Sequence, residues 1–146
     1  MNSYQIFLQG HSGVRWLILL LALITIIKSA AGLFGNGEYK KLDNILSASF
    51  VGLMHLQFVL GLVLYFFLSP WTTQAFQDFG AAMKDANLRF WAVEHLLLMI
   101  LAVASVQIGR SKSKKSAAAK KKFKFQLIFF TIGLVLLVLG IPWDRV

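Results

Sequence analysis

No cysteine occurs in this 146-residue chain, so disulfides, iron–sulfur clusters, thiolate-held metals and covalent c-type haem attachment are excluded by arithmetic. Acidic residues are almost as scarce: six Asp and Glu stand against 15 Lys and Arg, and charged residues of both signs make up only 14% of the chain. Histidine occurs three times, as His11, His55 and His95, so any metal or haem must rely on these or on methionine. The signatures of soluble catalysis are missing too. There is no glycine loop fit to cradle phosphate, no nucleophile in a serine–histidine–carboxylate context, and no H-E-x-x-H zinc spacing, since Glu94-His95 lacks its second histidine.

What the chain has is apolar length. Four runs, at about residues 13–34, 45–69, 88–109 and 125–143, each approach the ~20 residues a helix needs to cross a bilayer core. They are too long and too uniformly apolar for barrel strands, which alternate in ~10-residue pieces. Because backbone polar groups in lipid must be satisfied within a segment, the runs predict an all-α, integral membrane four-helix bundle. The 58% hydrophobic content agrees, and the length allows a single transmembrane domain over residues 1–146.

The net charge of +9 is local rather than global. Eight basic residues between positions 110 and 124, with no acidic one, separate the third and fourth runs, whereas residues 70–86 carry only Lys84 against Asp78 and Asp85. The positive-inside rule predicts the basic connection, and the turn bearing Lys40 and Lys41, on the cytoplasmic side, which makes the chain N-out and C-out. Trp16, Trp71, Trp91 and Trp143 all then fall at outer ends, where indoles prefer to sit, and Lys28 snorkels toward the inner face. The basic stretch is foremost a topology signal with capacity for anionic lipid, and its serines and alanines suggest a flexible loop. Nucleic acid is not an expected partner, because no folded basic domain with interleaved aromatics is present. No cleavable leader is evident, and residues 1–10 are expected to rest in the outer interface or to extend the first helix. Across residues 70–86, Trp71, Ala75, Phe76, Phe79 and Met83 recur at helical spacing, which predicts an amphipathic interfacial helix, a cover or merely a bridge between spans.

Ionisable residues within apolar runs are costly and concentrate function. Here they are Arg15, His55, Glu94 and His95, with His11 and Arg89 near the outer boundary. His55 and His95 lie in the second and third runs at depths differing by roughly 8 Å at ~1.5 Å rise per residue. Two imidazoles on facing helices are what a six-coordinate b-type haem requires, so His55 and His95 are candidate metal ligands. Gly52 and Ala48, one and two turns before His55, leave room for a flat macrocycle, while Ala92 and Met99 flank His95 on its own face. His11 and Arg15 share a helix face at i, i+4, where Arg15 can meet a haem propionate, Glu94 or a quinone head group. Arg89 is a second candidate for the propionates, and either arginine is a candidate partner for Glu94. Each histidine has a plainer alternative, a hydrogen bond bridging two helices.

The His11-Ser12-Gly13-Val14-Arg15-Trp16 opening, the mid-span His55 and His95, and the closing Gly140-Ile141-Pro142-Trp143 resemble a group of small four-span bacterial membrane proteins described as cytochrome b-like. The resemblance covers the whole chain on few positions. It implies residence in the bacterial inner membrane, one b-type haem held by His55 and His95, and respiratory electron transfer to or from quinone or a partner protein. With three histidines the chain departs from the two-haem four-helix cytochromes, which use four. Two further readings stand beside it: a cofactor-free accessory subunit of a larger membrane complex, and a haem-free quinone module built from His11, Arg15, Glu94 and His95.

Overall fold

A computed structural model describes residues 1–145 and contains, among them, helices and turns but no strand. The long helices are α1 (Ser3–Phe34), α2 (Lys41–Val63), α6 (His95–Lys115) and α7 (Ala119–Gly140). Between the second and third spans lie the short helices α3 (Pro70–Gln77), α4 (Phe79–Ala82) and α5 (Ala86–Arg89). A π-helical turn, Leu64–Leu68, ends the second span, and another, Phe90–Glu94, precedes α6. Four continuous helical stretches, Ser3–Phe34, Lys41–Leu68, Ala86–Lys115 and Ala119–Gly140, are long and apolar enough to cross a membrane.

Of residues 1–10, those from Ser3 onward extend the first helix. Asn2 accepts the amide of Gln5 at 2.9 Å while the Gln5 side chain accepts the amide of Asn2 at 3.1 Å, a reciprocal cap that fixes the start ten residues before the apolar run. At the opposite end of the molecule, the basic stretch is mostly helix rather than flexible loop. Lysine is a good helix former, and Lys112, Lys114 and Lys115 sit in the last turn of α6, where cations oppose the negative end of the helix dipole. Lys122 donates to the Ser113 carbonyl at 3.0 Å, and Arg110 to Asn44 Oδ1 at 2.8 Å, so only residues 116–118 connect α6 to α7. The periodicity of residues 70–86 is also interrupted. At Asp78 the backbone is extended (φ −147°, ψ 87°) and its side chain caps the Ala81 amide, giving two short helices in place of one.

The four spans form a closed ring in which α1 packs on α2 and α7, and α6 on α7 and α2. Glycine brings α6 and α7 together: a Cβ on Gly133 would stand 2.5 Å from Val106 Cγ2, and one on Gly109 would stand 2.6 Å from Phe129 Cβ. Between the four helices lies a dry middle layer of Ile18, Ala22, Phe50, Met54, Ala102, Val106 and Phe130, with Phe50 and Phe130 edge to face at 5.1 Å. Toward the basic end this gives way to a polar lock. Gln126 on α7 accepts from Ser29 on α1 at 3.1 Å and donates to Tyr39 at 2.6 Å and to Ser113 on α6 at 3.2 Å. Lys28, expected to snorkel, meets Asp43 at 3.4 Å. Leu17, Leu20, Ile27, Phe66, Phe67 and Leu139 point outward, which places apolar surface where lipid would be.

Candidate functional site

Above the dry layer, at the end of the bundle that carries the N-terminus, the helices part around a cavity of about 560 Å³. This falls within the usual size of ligand sites. Its walls come from α1 (His11, Arg15, Ile18), α2 (Met54, Gln57, Gly61) and α6 (His95, Met99), with Trp91 from the π turn ahead of α6. Trp71 and Thr72 of α3 and Pro142 also line it.

His95 enters it in a fixed orientation. Its Nδ1 lies 2.7 Å from the Gly140 carbonyl, which can only accept, so Nδ1 carries a proton and, in the neutral ring, Nε2 keeps its lone pair. This is the arrangement by which a second hydrogen bond orients a metal-binding imidazole. Phe90 and Trp91 flank the ring at 5.7 and 5.6 Å. The His11 ring stands 6.4 Å away, centroid to centroid, at an interplanar angle of 70°. Gly61 provides the space for it, since a Cβ there would lie 3.2 Å from His11 Cε1. Gln57 donates to the His11 carbonyl at 2.8 Å and so ties α2 to α1 at this level.

Three polar atoms in these walls are buried without a hydrogen-bond partner: His11 Nδ1, Arg15 Nε and Gln57 Oε1. Buried polar groups are normally paired, and leaving one unpaired costs about 1–3 kcal/mol. Three such atoms around one cavity can pair with water or with a ligand that has polar atoms of its own. Among the described residues no set of three or more His, Asp or Glu gathers to hold a bare metal ion. Two imidazoles instead suit a metal that brings its other ligands with it. With metal–nitrogen bonds of about 2 Å on each side, plus half the width of each ring, rings at this spacing can share one metal.

The residues expected from sequence divide sharply. His11, Arg15, His95 and Met99 converge on the cavity. His55 does not: it is exposed on α2, whose cavity face is marked by Met54, Gln57 and Gly61, and at about 100° per residue its ring points roughly 100° away from that face. The pairing of His55 with His95 across the interior is therefore not formed within one chain. Gly52 is likewise on the exposed side with open space around its Cα, so it clears no room for a macrocycle. Arg89 lies outside the cavity, where Nε meets Glu94 Oε1 at 2.8 Å and Nη1 donates to the Met83 carbonyl at 2.9 Å. That pair also settles the partner of Glu94 as Arg89 rather than Arg15, and removes Glu94 from the cavity set. Gln57 and Gly61 were missed. Their signal was the i, i+4 spacing on the face opposite to the one that His55 drew attention to.

Compared with protein-family models, with curated proteins and with solved structures, the chain matches none.

Proposed function

We propose that this protein is a b-type haem-binding membrane subunit that passes electrons to or from quinone or a partner protein, with His11 and His95 as the residues that would hold the haem iron in place of the His55–His95 pair. The observation that carries the reading is the pair of imidazoles 6.4 Å apart, one of them oriented through Nδ1, at the edge of a 560 Å³ cavity. Arg15, whose guanidinium lies over the Trp16 ring while its buried Nε has no hydrogen-bond partner, is available to a propionate. Haem would supply the one-electron chemistry, while the protein orients it, excludes water and sets its potential through ligands, burial and nearby charge. The Gly140 carbonyl holds the His95 ring, and Ile18, Met54 and Met99 give the cavity apolar walls.

The test is the absorption spectrum of detergent-purified protein titrated with hemin, beside His11→Ala, His95→Ala and His55→Ala. A six-coordinate spectrum with a sharp reduced α-band, lost in the first two variants and kept in the third, is the expected result. A band lost only in His55→Ala would reject this ligand pair.

A second reading is favoured by Arg15 Nε, a donor suited to a quinone carbonyl, and Gln57 Oε1, an acceptor suited to the hydroxyl of the reduced quinol. Quinone retained through purification, without a Soret band on hemin addition, would select it. The exposed His55 supports a third feature, packing against other subunits of a membrane complex, because histidine within a span ordinarily faces protein rather than lipid. The charge distribution supports an N-out, C-out orientation in the bacterial inner membrane, with residues 110–124 against anionic lipid and α3–α4 in the outer interface.

A further inference from the structure

We infer that Tyr65 is a positioning residue for His95, and that α3 latches it in place. The inference rests on the reading of the cavity as a site whose ligand His95 holds. Its starting point is the pair of π turns at the cavity ends of two adjacent spans, the second of which leads into His95. In the first, the amide of Ser69 reaches back five residues to the Leu64 carbonyl at 2.7 Å. In the second, the amide of His95 reaches back five residues to the Phe90 carbonyl. A π turn inserts one residue into the α-helical repeat, and such insertions are frequent at functional sites. Here the insertion ends on His95 itself. Relaxing it to α-helix would rotate the preceding residues by about 100° relative to His95, and Trp91 would lose its edge contact with that ring.

The π turn is held by hydrogen bonds from outside its own helix. Tyr65, within the first π turn, donates its hydroxyl to the Ala92 carbonyl in the middle of the second at 2.6 Å. The backbone carbonyl of Tyr65 in turn accepts the hydroxyl of Thr72 on α3 at 2.7 Å. A chain of two short hydrogen bonds thus runs from α3, through the second span, to a point three residues before His95. The other end of the 70–85 segment is tied to the same turn. Arg89 donates to the Met83 carbonyl and to Glu94, the residue next to His95. Trp71 and Thr72, which line the cavity, therefore sit on a segment whose two tethers converge on the turn that presents the ligand. A purely structural cover would need neither the Tyr65 bond nor its placement on the inserted turn.

The experiment compares wild type, Tyr65→Phe, Thr72→Val and the double variant. Wild-type uptake of hemin tests the haem reading; the variants test the latch. Tyr65→Phe, which keeps the ring and its packing on Phe76, is expected to bind hemin but to release it roughly fivefold to tenfold faster, the effect of losing about one hydrogen bond. It is also expected to shift the low-spin EPR g-values that report imidazole orientation. Thr72→Val is expected to act in the same direction, and the double variant to be no worse than Tyr65→Phe alone. Release rates and g-values equal to wild type would overturn the positioning role and leave the haem reading standing. If wild type takes up no hemin, amide hydrogen exchange decides instead. Faster exchange over residues 90–95 in Tyr65→Phe supports the latch, and unchanged exchange overturns it.

Discussion

Gln57 on α2 donates its side-chain amide to the backbone carbonyl of His11 on α1 across 2.8 Å, while its own Oε1 is buried with no partner. One side chain thus fixes the spacing of two helices and adds an acceptor to the cavity. Gln57→Leu separates these roles. Hydrogen bonds between membrane helices contribute about 0.6 kcal/mol on average, so the loss of stability is expected to be of that order. Hemin affinity is expected to fall further, by roughly fivefold, because the variant removes a polar atom from the wall and loosens His11. Thermal unfolding in detergent together with a hemin titration checks both; a large stability loss with intact affinity would make Gln57 a purely structural bridge.

His55 makes the opposite prediction. Since its ring lies on the exposed face of α2, His55→Leu is expected to leave hemin affinity and the spectrum within about twofold of wild type, as for sites without shared partners. What His55→Leu is expected to change is association with other membrane subunits, read as a shift in particle mass by light scattering in mild detergent. A spectrum lost in this variant would return His55 to the ligand set.

The difference between these residues shows where sequence reading stopped. Length and hydropathy located the four spans, because a bilayer imposes one period on all of them and leaves little else for 20 apolar residues to be. The end of the bundle that holds the cavity was also marked in the sequence, through His11, Arg15 and Trp91. Helix rotation did not. A span with apolar residues on every side carries no amphipathic stripe, so nothing in the run around His55 distinguished its lipid side from its interior side. The polar residue that does face inward, Gln57, is two positions away and carries no charge. The π turns were equally silent, since an inserted residue among Leu64–Leu68 or Phe90–Glu94 changes no composition. Asp43 was overlooked because it stands at the start of a span, where a carboxylate looks like an ordinary boundary residue.

Asp43 serves two groups at once. Its Oδ2 accepts the amide of Lys40 at 2.8 Å, closing the N-terminus of α2, and its Oδ1 lies 3.4 Å from Lys28 on α1. The Lys28 side chain is 41% exposed, so the ion pair itself contributes little. Loss of the cap dominates, and Asp43→Ala is expected to cost about 1 kcal/mol. Asp43→Asn, which keeps an acceptor for the amide, is expected to recover most of it. Thermal unfolding of the two variants in detergent distinguishes a cap from a salt bridge; equal losses in both would favour the ion pair.

The absence of cysteine makes the proposed orientation directly measurable, because every introduced thiol is the only one present. Gln74→Cys places a thiol on α3, at the end of the molecule that holds the cavity, and Ser116→Cys places one in the short connection between α6 and α7. The eight basic residues around the second position predict that it faces the cytoplasm. In intact spheroplasts a membrane-impermeant maleimide is expected to label Gln74→Cys and to reach Ser116→Cys only after the membrane is opened. Labelling in the reverse order would invert the orientation, and the cavity with His11 and His95 would then draw its electron partners from the cytoplasmic side instead of the outer one.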